Sequence, residues 1–126
     1  LSAVRPQEWE QLVECFPDCT VTGATDGSSL VSIPSVQVPA GWSEPTTSIW
    51  FLVPVGYPAA QPDCFWASHG LRLASGGMPA NSGQQQLPAL GIPVLWFSWH
   101  LATWRTSIDS LLTYTRFALR RFDDAR

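Results

Sequence analysis

The chain has 126 residues, enough for one domain around a single ordinary core. A net charge of −3 and the lack of any basic run exclude nucleic acid as the expected partner. No apolar run approaches the ~20 residues of a membrane helix and no charged-then-apolar leader is visible, so no membrane span is expected.

In chain order, Pro6 to Phe16 reads as a helix: Trp9, Leu12, Val13 and Phe16 form one apolar stripe, Pro6 suits the first turn, and Pro17 ends it. Strand patterns follow at Thr20–Ala24 and Ser29–Ile33 about an Asp26-Gly27 turn, with Val36 and Val38 continuing the second. Pro34 and Pro39 interrupt it, which predicts an edge position or a bulge. Ser48 to Val55 suits a central strand and Cys64 to Ala67 a short fourth one. These patterns predict a four-stranded antiparallel meander, an α+β class, with both helices on one side or end of it.

Gly70 to Pro93 carries five glycines and three prolines and reads as one long loop. Residues 74 to 88 within it are expected to be the most mobile. Leu95 to Trp99 is apolar again. A last helix is expected from Ser107 to Phe122, with Thr106 as N-cap and Asp109 three residues on; Ile108, Leu111, Leu112, Thr115 and Leu119 face the sheet. Arg116, Arg120 and Arg121 read as a solvated face near its negative end. No repeat or second domain is visible, so residues 1–126 are expected to form a single domain.

The stretch Ile49 to Trp66, IWFLVPVGYPAAQPDCFW, joins Tyr57-Pro58 to Pro62-x-x-Phe65-Trp66. With Trp104 and the WRTSIDSLLTY tail, it resembles the ubiquitin-conjugating (E2, UBC-fold) family, and VPAGW at Val38 to Trp42 is similar to the bacterial branch called prokaryotic E2 family E. The resemblance implies a UBC-like domain in a ubiquitin-like pathway, with a ubiquitin-like protein and an E1-like activating enzyme as partners. It also implies a nucleophilic cysteine about eight residues before the tryptophan that precedes the last helix. That position holds Trp96. The family's His-Pro-Asn element is missing as well; the nearest text is Ser68-His69-Gly70, and Asn81 has no spacing that recommends it as a substitute.

The expected function is therefore binding of a ubiquitin-like protein without a thioester cysteine, the alternative being a conjugating enzyme that uses Cys64 out of register. Cys64 is the only cysteine inside the signature, though a free cysteine on a strand is ordinarily a buried apolar residue. His100 and Ser98 lie at i, i+2 and point the same way on an extended segment. Either they are structural or, together with Arg105, they line an altered site, and no acidic third member is placed in sequence to complete a triad. Trp96, Trp99 and Tyr57 are candidate partner-binding residues, since tryptophan and tyrosine are enriched at binding hot spots. Tyr57-Pro58 or Gln61-Pro62 is expected to be the cis bond, if any is.

Two histidines without spaced carboxylates argue against a metal, and no cofactor is expected. Three cysteines, with Cys15 and Cys19 too sparse for a disulfide scaffold, suggest a reducing cytoplasm. The chain opens on Leu1 instead of Met, so an expression tag, a trimmed N-terminus or an excised domain is expected. All seven basic residues are arginines and lysine is absent, through either genomic composition or avoidance of self-modification by amine-acylating chemistry.

Overall fold

A computed structural model describes residues 4–126; the expectation attached to Leu1 lies outside them. Helix α1 (Pro6–Cys15) starts on its proline, where a missing N–H costs nothing, and buries Leu12 completely. Six strands follow: β1 (Thr20–Gly23), β2 (Ser29–Gln37), β3 (Thr46–Val53), β4 (Phe65–Ser68), β5 (Ser82–Gln86) and β6 (Pro93–Phe97). They form one antiparallel sheet in the order β1-β2-β3-β4-β6-β5, and α2 (Leu111–Arg120) with a short 3-10 turn at Arg121–Asp123 ends the fold.

The first four strands are the expected meander, but the sheet has six strands, not four. The predicted loop between Gly70 and Pro93 contains β5, which pairs with β6 from Ser82 opposite Phe97 to Gln86 opposite Pro93. A polar, glycine-containing segment shows no apolar alternation, and here the open edge of β6 supplies the hydrogen-bonding partner. The residues 74 to 88 expected to be most mobile thus include an edge strand.

Pro34 sits where β2 has run past its last partner on β1, Thr20 opposite Ser32. Its absent N–H therefore breaks no ladder bond on that side, and the register against β3 shifts between Ile33 and Val36. The bulge reading holds, although β2 is an interior strand along most of its length.

Period-2 alternation gives the sheet two apolar faces. One carries Val31, Ile49, Phe51, Phe65 and Phe97 and is covered by Leu12 of α1 and Leu111, Tyr114 and Ala118 of α2, so both helices lie on one side. The other carries Leu30, Trp66, Leu87 and Val94 with half-buried Trp50, Leu52 and Trp96. On that second face Trp50 pairs with Trp66 and Trp66 with Trp96, a row of three tryptophans across β3, β4 and β6. This row holds three of the chain's seven tryptophans.

The last helix begins at Leu111, four residues later than Ser107. Asp109 does not act three residues from a Thr106 cap; its carboxylate accepts the Arg105 N–H at 2.7 Å and pairs with the Arg105 guanidinium at 3.1 Å, closing a turn. The true cap is Ser110, whose side chain accepts from the Thr113 N–H while Thr113 Oγ1 accepts from the Ser110 N–H. Ile108 is consequently exposed instead of facing the sheet.

Arg121 is also corrected. It is buried, its guanidinium donates to the carbonyls of Ala80, Asp124 and Arg126, and it lies over the rings of Trp42 and Phe97. Among the described residues, no helix is long and apolar enough to cross a membrane.

Candidate functional site

Phe65 opposite Phe97 is the last pair at one end of the β4–β6 ladder. The antiparallel register therefore brings the residues before β4 alongside those after β6. Both flanking segments are tied to the body of the protein. Tyr57-Pro58 is cis, as one of the two expected positions, and the Pro58 carbonyl accepts from Trp104 Nε1 at 2.8 Å. Gln61 Nε2 donates to the Leu101 carbonyl at 3.3 Å. Tyr114, wholly buried on α2, donates its hydroxyl to the Cys64 carbonyl at 2.6 Å. Cys64 has φ 60°, a left-handed conformation that a side-chain-bearing residue rarely adopts and that often marks functional sites.

After β6, the Ser98 N–H donates to the Asn81 carbonyl at 2.8 Å and Trp99 Nε1 to the Phe117 carbonyl at 2.8 Å. Between these anchors four polar side chains meet. Ser98 Oγ lies 3.0 Å from His100 Nε2, His100 Nδ1 lies 2.6 Å from Asp63 Oδ1, and Cys64 Sγ lies 3.9 Å from the same Nδ1. A carboxylate only accepts, so Nδ1 carries the proton it donates to Asp63. In the neutral ring Nε2 is then the acceptor, facing the Ser98 hydroxyl.

The ring and carboxylate are open to solvent, at 61% and 64% side-chain exposure, which leaves them within reach of a protein partner. Burial is the main influence that pushes the Cys64 thiol above its ordinary value; the Trp99 N–H opposes this and the Asp63 carboxylate adds to it.

Cys64, His100 and Ser98, the three candidate catalytic residues, are thus brought together. Asp63, the missing acidic member, was not found from sequence. It precedes His100 by 37 positions, and only the β4–β6 register closes that gap. The available signal was its place beside Cys64 at the mouth of a predicted strand. His69 lies beyond the opposite end of β4, away from this cluster.

Asp63 is also a carboxylate beside a histidine that sequence spacing does not reveal. The ligand atoms of Asp63, Cys64 and His100 lie within 4.8 Å of one another. Three ligands fall short of a closed four-ligand zinc site, and in this arrangement Nδ1 is engaged with the carboxylate instead.

Of the candidate partner-binding residues, Tyr57 is buried and donates its hydroxyl to Glu8. Trp99 is half-buried and stacks on Phe117 at 5.3 Å between centroids. Trp96 is half-buried in the tryptophan row, opposite Trp66 on β4 and Gly83 on β5. The position where the resemblance places a nucleophile is thus a strand residue.

No curated protein and no solved structure matches the chain. The family described as Prokaryotic E2 family E matches residues 17–124, which takes in every strand, the second helix and all four residues of the cluster. By that match, the chain belongs to prokaryotic E2 family E.

Proposed function

We propose that this E2-like domain serves a bacterial ubiquitin-like conjugation pathway, binding a ubiquitin-like protein, alongside an E1-like activating enzyme in the cytoplasm, without holding it on a thiol. The observation that carries this is Trp96: in the register of the family's cysteine stands an indole paired within the sheet between Trp66 and Gly83. An indole offers no atom that can form a thioester.

The second reading, a conjugating enzyme using Cys64, is favoured by one contact, Sγ at 3.9 Å from His100 Nδ1. Two features weigh against it: that nitrogen is already engaged by Asp63, and burial raises the thiol's pKa.

The test is to mix the domain with the E1-like enzyme and ubiquitin-like protein of its own operon and ATP, then run non-reducing gels and measure binding by calorimetry. The expected result is saturable binding with no reductant-sensitive conjugate. A band that reductant removes, and that Cys64→Ala abolishes, would establish the enzyme reading instead.

A further inference from the structure

We infer that Ser98, His100 and Asp63 form an acyl-transfer relay in which Ser98 Oγ is the nucleophile, taking an acyl group from a thioester to give an oxyester. The inference deepens the proposed function, and rests on it for the identity of the acyl group: the C-terminal carboxyl of the ubiquitin-like partner. The relay itself rests on geometry alone. Both of its links, 3.0 Å from Oγ to Nε2 and 2.6 Å from Nδ1 to the carboxylate, are within hydrogen-bond reach. A nucleophile, a base and a group that orients the base are the three parts such chemistry requires.

The step balances without an added oxidant or reductant. Oγ attacks the thioester carbonyl carbon while its proton passes to Nε2; the C–O bond forms, the C–S bond breaks, and the departing thiolate takes the proton from Nε2. An amine then attacks the oxyester, the C–O bond breaks, and the proton released by the amine returns through Nε2 to Oγ. Asp63 touches no reacting atom. It is a positioning residue that holds the proton on Nδ1 and so leaves Nε2 free to act as base.

Three further observations agree with this role. The cluster is open to solvent, as a site loaded by another protein must be. The segments that carry Ser98 and Asp63 are tied down, the first by the Asn81 carbonyl beside β5 and the second by the buried Tyr114 hydroxyl, so the pieces are held in place before an acyl donor arrives. The chain has no lysine, so no ε-amine of its own competes for an activated acyl group. Cys64 is the neighbouring thiol but not the partner of the base, because its contact is with Nδ1, the nitrogen already given to Asp63.

The experiment uses phenyl thioacetate as donor, following thiophenol release and the mass of the intact protein. Because it needs no ubiquitin-like protein, its outcome is independent of the binding titration that tests the proposed function. The expected result is a burst that leaves one acetyl group on Ser98, stable to neutral hydroxylamine and cleaved by alkali. It should persist in Cys64→Ala, vanish in Ser98→Ala, and slow by about 100-fold or more in His100→Ala, the usual range for a lost general base. Asp63→Asn should slow acylation, and nitrogen NMR of His100 should show the ring proton leaving Nδ1, a signature that a merely structural role would not produce. Acetylation of Cys64, no acetylation, or an unchanged rate in folded His100→Ala would overturn the relay.

Discussion

Glu8 Oε1 accepts the backbone N–H of Leu111 at 2.9 Å, joining the first helix to the first residue of the last across 103 positions. The same oxygen accepts the buried Tyr57 hydroxyl, and Glu8 itself is only 9% exposed. A carboxylate at that place satisfies an orphan N–H and suits the positive end of the helix. Glu8→Ala strands both donors and should cost roughly 2–4 kcal/mol, whereas Glu8→Gln keeps an acceptor and should cost about 1 kcal/mol. Urea unfolding checks both. Equal losses for the two variants would mean that the negative charge itself, and not simply an acceptor at that place, carries the interaction.

Arg121 makes a second, separate prediction. Its fork donates to three backbone carbonyls and its planar face covers Trp42 and Phe97, at 5.6 and 5.1 Å to the ring centroids. Lysine carries the charge but not the fork, and it stacks less well on aromatic rings. Arg121→Lys should therefore destabilise by about 1.5–3 kcal/mol. The matching change at exposed Arg120 should stay within about 0.5 kcal/mol, as surface substitutions do. Thermal unfolding of the two variants side by side gives the comparison.

Local periodicity identified α1 and the first four strands, because apolar spacing in each is set by one nearby core. The start of α2 was misplaced because Thr106 followed by Asp109 imitates a capping box, while the carboxylate is taken by Arg105. Strand β5 had no apolar pattern to read, since its order comes from the backbone edge of β6. Arg121 looked like a solvated helix face because its carbonyl partners come from Ala80 and the chain's last residues. The candidate site followed the same rule. Ser98 and His100 stand two positions apart and are legible as a pair, but Asp63 joins them only through the register of β4 on β6.

The third prediction concerns pH. Only a thiolate alkylates, and the Cys64 thiol is pushed up by burial, with the Asp63 carboxylate adding to the effect. At pH 7 the group is then less ionised than a free thiol, and its reaction with iodoacetamide should be slow and climb about tenfold per pH unit until its raised pKa is passed. Cys15, which is exposed, should label first. Asp63→Asn removes a negative charge and should speed Cys64 labelling at neutral pH. Peptide mapping after timed alkylation measures this. Faster labelling at Cys64 than at Cys15 would mean an activated thiolate and would favour the thiol enzyme.

The last prediction tests how the core holds the site. Tyr114 is buried between Phe51 and Phe117, and burial keeps its phenol protonated far above neutrality, so the hydroxyl remains a donor. Its acceptor is the Cys64 carbonyl, one residue from the Asp63 carboxylate that orients His100. Tyr114→Phe retains the ring packing and deletes that single tether, leaving the carbonyl of a residue at φ 60° without the hydroxyl. The stability cost should be about 1–2 kcal/mol. Acylation by phenyl thioacetate should fall by more than the small change in folded fraction allows, because the loosened Asp63–Cys64 segment no longer fixes the ring, and a misplacement of ~1 Å can cost about 100-fold in rate. Unfolding and burst kinetics on the same preparation separate the two effects. A stability loss with an unchanged burst rate would make Tyr114 a core residue alone and place the ordering of the site elsewhere.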